Sequence, residues 1–253
     1  MKKENFLFLL VFAFMCNFGL LAQTKQAEPT ATQKEAWRKA QEEQFHNDWA
    51  NLGRFRNDNK KIGLPAAGEL RVVFMGNSIT EGWSRLDSGF FAGRPFINRG
   101  ISGQTTPQML IRFKPDVVNL KAEVVVILAG INDIAGNTGP STLEMIEDNL
   151  SSMAEIAQAN KIQVVLSSVL PAYDFPWRPG MEPAEKVVKL NVWIKNYAAT
   201  HKCIYLDYFT PMSDEKHGLK KEYTQDGVHP NLEGYKVMEP LAEEAIKKAL
   251  GSK

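Results

Sequence analysis

Five short runs of apolar, mostly β-branched residues recur along the chain, and helical periodicity fills most of the gaps that follow them. The runs are Leu70–Met75, Pro95–Asn98, Glu123–Ala129, Ile162–Ser168 and Cys203–Asp207. Helical patterns occupy roughly Thr105–Leu120, Thr142–Asn160, Pro183–Thr200 and Leu232–Leu250. Strands that are apolar throughout must be covered on both faces, so this alternation predicts a parallel sheet between two helical layers. The expected fold class is α/β, a three-layer α/β/α sandwich with a five-stranded parallel sheet. No internal repeat or low-complexity tract breaks the pattern, so residues 63–253 are read as one domain.

What precedes that domain has a different character. Lys2 and Lys3 lead into an apolar run from Phe6 to Leu21, closed by the small Ala22. The run falls short of the roughly 20 apolar residues of a spanning helix, and its build predicts a signal peptide over residues 1–22. A retained membrane anchor is the other reading. Cys16 follows Met15, whereas a lipid-attachment cysteine wants a small residue before it. Export to the periplasm or beyond is therefore expected, with no membrane span once the signal is removed. Losing Lys2, Lys3 and Glu4 takes the formal charge of +1 to neutrality, which argues against a nucleic-acid partner. Cys203 is then the only cysteine; it lies in an apolar run and reads as a small buried hydrophobe rather than a thiol nucleophile. Residues 23–62 are expected to be an N-terminal extension carrying an amphipathic helix over Gln33–Phe55. Trp37, Phe45, Trp49 and Leu52 would share its packing face.

Sheets of this class bind ligands beyond the carboxyl ends of their strands, so reactive residues should lie in the loops just after the strands. Four clusters do. Gly76-Asn77-Ser78 follows the first strand: Gly76 permits a sharp turn, and Ser78 would open a helix whose free N–H groups favour negative charge. Ser and Asn are also ordinary helix caps. After the second strand come Gly100 and Gly103, the latter able to aim an N–H at a substrate oxygen. A plain glycine-rich loop in which Thr105 or Thr106 caps the next helix, with Pro107 in its first turn, is the alternative. Gly130-Ile131-Asn132-Asp133 places an amide donor after the third strand, or simply builds a turn. Asp226-Gly227-Val228-His229 follows the last strand. His229 is better placed than the other three histidines, and an Asp three positions earlier can fix its tautomer.

Together these residues make a serine-esterase constellation. Ser78 would attack a carbonyl, His229 would take its proton, and Asp226 would stabilise the imidazolium. The N–H groups of Ser78 and Gly103 and the Asn132 amide would hold the oxyanion.

The ordered blocks Gly76-Asn77-Ser78, Gly103, Gly130-x-Asn132-Asp133 and Asp226-x-x-His229 resemble those of the SGNH (GDSL-type) hydrolases, from about Leu70 to Leu250. Asn98–Thr106 and Val169–Pro171 look most like the catalytic subunits of platelet-activating-factor acetylhydrolase and related bacterial acetylesterases. The resemblance implies a flavodoxin-like sheet of order 2-1-3-4-5, no metal or cofactor, and a shallow open site. Asn77 departs from the pattern, which usually has Asp before the serine.

Trp83 and the loop Pro171–Gly180, with Tyr173, Trp177 and Arg178, are candidate substrate-binding residues. Aromatic faces suit sugar rings, and Arg178 could meet an acidic group. The same aromatics could instead cover the end of the sheet. The expected substrate is a small-molecule or oligosaccharide ester of a short acyl group, acetate above all. A lysophospholipase or thioesterase with the same triad, and a silent carbohydrate-binding scaffold, are the alternatives. A nucleotide-binding domain lacks its phosphate loop here.

Overall fold

The computed structural model describes residues 30–251; the predicted signal peptide lies outside them. The chain divides into two compact units, residues 1–41 and 42–253.

The sheet has five parallel strands: β1 (Val72–Gly76), β2 (Phe96–Gly100), β3 (Val124–Leu128), β4 (Gln163–Ser167) and β5 (Ile204–Leu206). Their order is β2-β1-β3-β4-β5, as expected. Alternate residues of one strand serve opposite layers, because side chains on a strand have a period of two. Val73, Met75, Val125 and Ile127 pack with Met109, Phe113, Leu150 and Leu190. On the other face Val72, Phe74, Val124 and Val126 pack with Ile79, Trp83, Tyr235 and Met238. The first group of partners comes from α4 (Thr106–Phe113), α6 (Leu143–Ala159) and α7 (Ala184–Thr200). The second comes from α3 (Ser78–Leu86) and α8 (Leu232–Gly251).

Local chemistry starts these helices where the strands end. The Asn77 side chain accepts the Ile79 N–H at the head of α3. Thr105 and Gln108 form a capping box on α4, with Pro107 in its first turn. Thr142 caps α6 by accepting the Met145 N–H. The helical pattern expected over Thr105–Leu120 is interrupted: α4 ends at Phe113 and a π-turn covers Lys114–Val118. Pro115 lacks an N–H and crowds the preceding turn, so the backbone widens there.

The N-terminal segment differs from expectation. Helix α1 spans Ala31–Asn47 and stops before Asp48, and a separate short helix, α2, covers Arg56–Ile62. Asp48 ends the first one by turning its carboxylate onto the N–H groups of Leu52 and Gly53. Phe45 and Leu52 are exposed, so the predicted single packing face is not formed. The Trp37 side chain lies outside the described residues. Cys203 is buried and unpaired, and burial pushes its thiol up to about 11.

Candidate active site

The loop after β5 holds its residues by local hydrogen bonds. Asp226 Oδ1 accepts the N–H groups of Val228 (2.9 Å) and His229 (2.8 Å), and Oδ2 meets His229 Nδ1 at 2.7 Å. Thr224, absent from the sequence expectations, staples the loop: its hydroxyl donates to the His229 carbonyl at 2.8 Å and accepts the Gly227 N–H. Its signal was a hydroxyl two residues before an Asp in a tight loop. Burial works to raise the Asp226 carboxyl, but the His229 N–H and imidazole and the Val228 N–H outweigh it. The group therefore sits below the usual carboxylate range.

The opposite ring nitrogen, His229 Nε2, lies 2.9 Å from Ser78 Oγ across 151 residues of sequence. Ser78 is the first residue of α3. Gly76 earns its place differently from the expected sharp turn: a Cβ there would lie 2.0 Å from the Thr80 hydroxyl. Close packing, not backbone conformation, excludes a side chain. Asn77 is buried; its oxygen caps α3, and its Nδ2 finds no acceptor among the described residues.

Gly103 adopts φ +78° and leaves open space around its α-carbon. Its carbonyl accepts from Asn137 Nδ2 at 3.2 Å. Asn132 lies in the short helix α5 (Ile131–Ile134) and donates one of its two amide hydrogens to the Gln104 carbonyl at 2.9 Å. Asp133 is turned away, onto the N–H and hydroxyl of Thr106. Burial raises its carboxyl to about 6 against the pull of those donors.

Arg112, which the sequence left unremarked, joins these loops from inside the protein. Fully buried, it donates to the Gly76 carbonyl (3.0 Å), to Gln104 Oε1 (2.5 Å) and to Asp116 (3.1 Å). One guanidinium thus ties the end of β1 to the loop after β2. Its signal in the sequence is Asp116 four residues on, the spacing of an ion pair on one helical face.

Of the predicted substrate-binding residues, one belongs to the core. Trp83 is 2% exposed and stacks between Phe90 and Tyr235, with centroids at 4.6 and 5.4 Å. On α3 it lies five residues past Ser78, which carries it around to the face against the sheet. Arg178 is also reassigned: its guanidinium donates to the backbone carbonyls of Ala135 (2.6 Å) and Gly136 (3.2 Å), fastening two loops together. Trp177 does lie beside the catalytic histidine candidate. It stacks on Phe175 at 5.2 Å, stands 5.9 Å from the His229 ring, and is 43% exposed. Tyr173 is exposed at a second cleft that shares Gln225 and Asp226 with the first. The first, about 1000 Å³, is lined by Ser78, Ser102, Asp226 and His229, and beyond them by Arg85, Leu86 and Leu232.

Residues 74–237 match the model of the GDSL-like lipase/acylhydrolase family. A GDSL-like lipase from Bacteroides thetaiotaomicron is 49% identical, with a TM-score of 0.78 over 80% of this chain and 100% of its own. A Bacteroides fragilis protein assigned to the acylhydrolases is 48% identical, with a TM-score of 0.79 over 81% of this chain and 99% of its own. An acetylxylan esterase from Geobacillus stearothermophilus, 20% identical with a TM-score of 0.56 over 71% of this chain and 94% of its own, shares the fold. No curated protein sequence matches. The chain belongs to the GDSL-like lipase/acylhydrolase family and is a hydrolase acting on esters.

Proposed function

We propose that the protein is a serine esterase that removes short acyl groups, acetyl above all, from carbohydrates. The observation that carries this reading is the continuous relay from Ser78 Oγ to His229 Nε2 (2.9 Å) and from His229 Nδ1 to Asp226 Oδ2 (2.7 Å). Asp226 accepts a hydrogen bond from Nδ1–H, which leaves the unprotonated Nε2 as the base facing the serine hydroxyl. As Ser78 Oγ bonds to the ester carbon, its proton passes to His229 and the carbonyl oxygen becomes an oxyanion. The N–H groups of Ser78 and Gly103 and the remaining Asn132 amide hydrogen are the donors available to it. Such a donor is worth about 3–4 kcal/mol of barrier. His229 then protonates the departing alcohol. Water, deprotonated by the same histidine, attacks the acyl-enzyme, and the acid leaves as Ser78 regains its proton.

The carbohydrate side is supported by Trp177, an exposed aromatic face beside His229 where the alcohol departs. Tyr173, a second exposed aromatic, lines the adjoining cleft. Export directed by residues 1–22 would bring the enzyme to polysaccharide outside the cytoplasm. A second reading has its own support: Leu86 and Leu232, both exposed, line the Ser78 cleft and would suit a longer acyl chain.

Two measurements test these statements. Ser78→Ala and His229→Ala should each lower kcat on 4-nitrophenyl acetate at least about 10³-fold with the thermal midpoint kept; near-normal turnover in either refutes the triad. A series of 4-nitrophenyl esters from acetate to decanoate should show kcat/KM falling with chain length. A clear rise toward decanoate would favour the longer-chain reading.

A further inference from the structure

The loop after β2 is held on its cleft side by a charged side chain. Glu81, one turn along α3 from Ser78, accepts the Ser102 N–H on Oε2 at 3.0 Å. Its other oxygen accepts from Arg54 at 3.0 Å. Glu81 and Ser102 line the same cleft as Ser78. The backbones beneath them are in contact: a Cβ on Gly100 would lie 2.1 Å from the Glu81 N atom, so the end of β2 packs directly against α3 at this level. Ile101 is fixed separately, its N–H on the Gly76 carbonyl.

The pair itself does little for stability, since Arg54 and Glu81 keep 51% and 35% of their side-chain surface and exposed ion pairs contribute weakly. Its consequence is geometric. A carboxylate is a strong, charge-assisted acceptor, and the N–H it holds is next in sequence to Gly103. The Gly103 N–H meets no acceptor among the described residues. Resting on the serine-esterase reading above, we propose that Glu81, steadied by Arg54, is a positioning residue that sets the Gly103 N–H for the oxyanion. Arg54 comes from the stretch between α1 and α2, so a segment before the sheet shares in placing a donor beyond β2. Small displacements of such donors cost large factors in rate.

The test compares Glu81→Ala, Glu81→Gln and Arg54→Met on 4-nitrophenyl acetate, with active sites counted by a fluorophosphonate and binding of phenylboronic acid measured alongside. Glu81→Ala should lower kcat per active site about 10- to 100-fold, leave KM within about threefold, and weaken the boronate by the same factor as kcat. Glu81→Gln keeps an acceptor for Ser102 and should recover most of the rate. Arg54→Met, which leaves the carboxylate unsteadied, should fall between. A kcat within twofold of the parent in Glu81→Ala overturns the proposal. So does a loss confined to KM, a boronate affinity that does not follow kcat, or equal losses in Ala and Gln. Ser78→Ala separates the two levels: activity surviving there refutes the triad and this inference with it. Its loss beside an unaffected Glu81→Ala refutes the inference alone.

Discussion

Asp226 holds His229 by both its backbone and its ring, so one side chain fixes where the imidazole stands and which nitrogen faces Ser78. The two tryptophans near the site divide the remaining work. Trp83 is packed between Phe90 and Tyr235 with its indole nitrogen buried, whereas Trp177 presents an open face next to His229. Trp83→Ala should cost about 3–5 kcal/mol of stability, read by urea unfolding, and leave KM for an acetylated oligosaccharide within about twofold in the folded fraction. Trp177→Ala should do the reverse, raising that KM roughly 3- to 10-fold with the unfolding midpoint kept. A KM unchanged by loss of Trp177 would remove the main support for the carbohydrate side.

Among the elements, α4 and α5 are linked by a single carboxylate. Asp133 accepts the N–H and hydroxyl of Thr106, the first residue of α4, and thereby helps close that helix start. Burial outweighs those donors and raises the group from the ordinary carboxylate range to about 6. In the folded protein it therefore holds its proton to higher pH than in the unfolded chain. Its contribution is fully present below about pH 4 and declines as pH rises through about 6. The stability of the parent relative to Asp133→Asn should accordingly fall between pH 4 and pH 6.5 and level off above. Thermal midpoints of the two proteins across that range check the sign; a parent midpoint that rises relative to that of Asp133→Asn with pH would contradict it. Asp133 was legible only as half of a polar pair after a strand. That it turns from the cleft while Asn132 lends one donor to Gln104 depends on α5, too short to leave a periodicity.

Across the whole molecule, the cleft is assembled at one edge of the sheet and locked from beneath by Arg112. Removing that guanidinium leaves Asp116 buried without its ion-pair partner and takes one donor each from the Gly76 carbonyl and Gln104 Oε1. Arg112→Leu should destabilise by about 3–5 kcal/mol, and Arg112→Leu/Asp116→Leu should recover part of it. Urea unfolding decides this, and a cost below about 1 kcal/mol for the single change would show the network to be dispensable.

The strands and main helices of the sandwich were determined by the sequence alone, because an apolar run covered on both faces and an amphipathic helix each leave a local period. The same pattern, with the β-to-α loop rule, marks Ser78, Asp226 and His229 in the sequence alone. Only the tertiary structure decided the rest. It ended α1 at Asn47, split the helix after Thr105 at Pro115, turned Trp83 inward, and tied Arg178 to backbone carbonyls. It also brought Glu81 to Ser102 and Arg112 to Gly76. Those outcomes depend on what a side chain meets from a distant part of the chain, and hydrogen-bond partners set by packing leave no period to read.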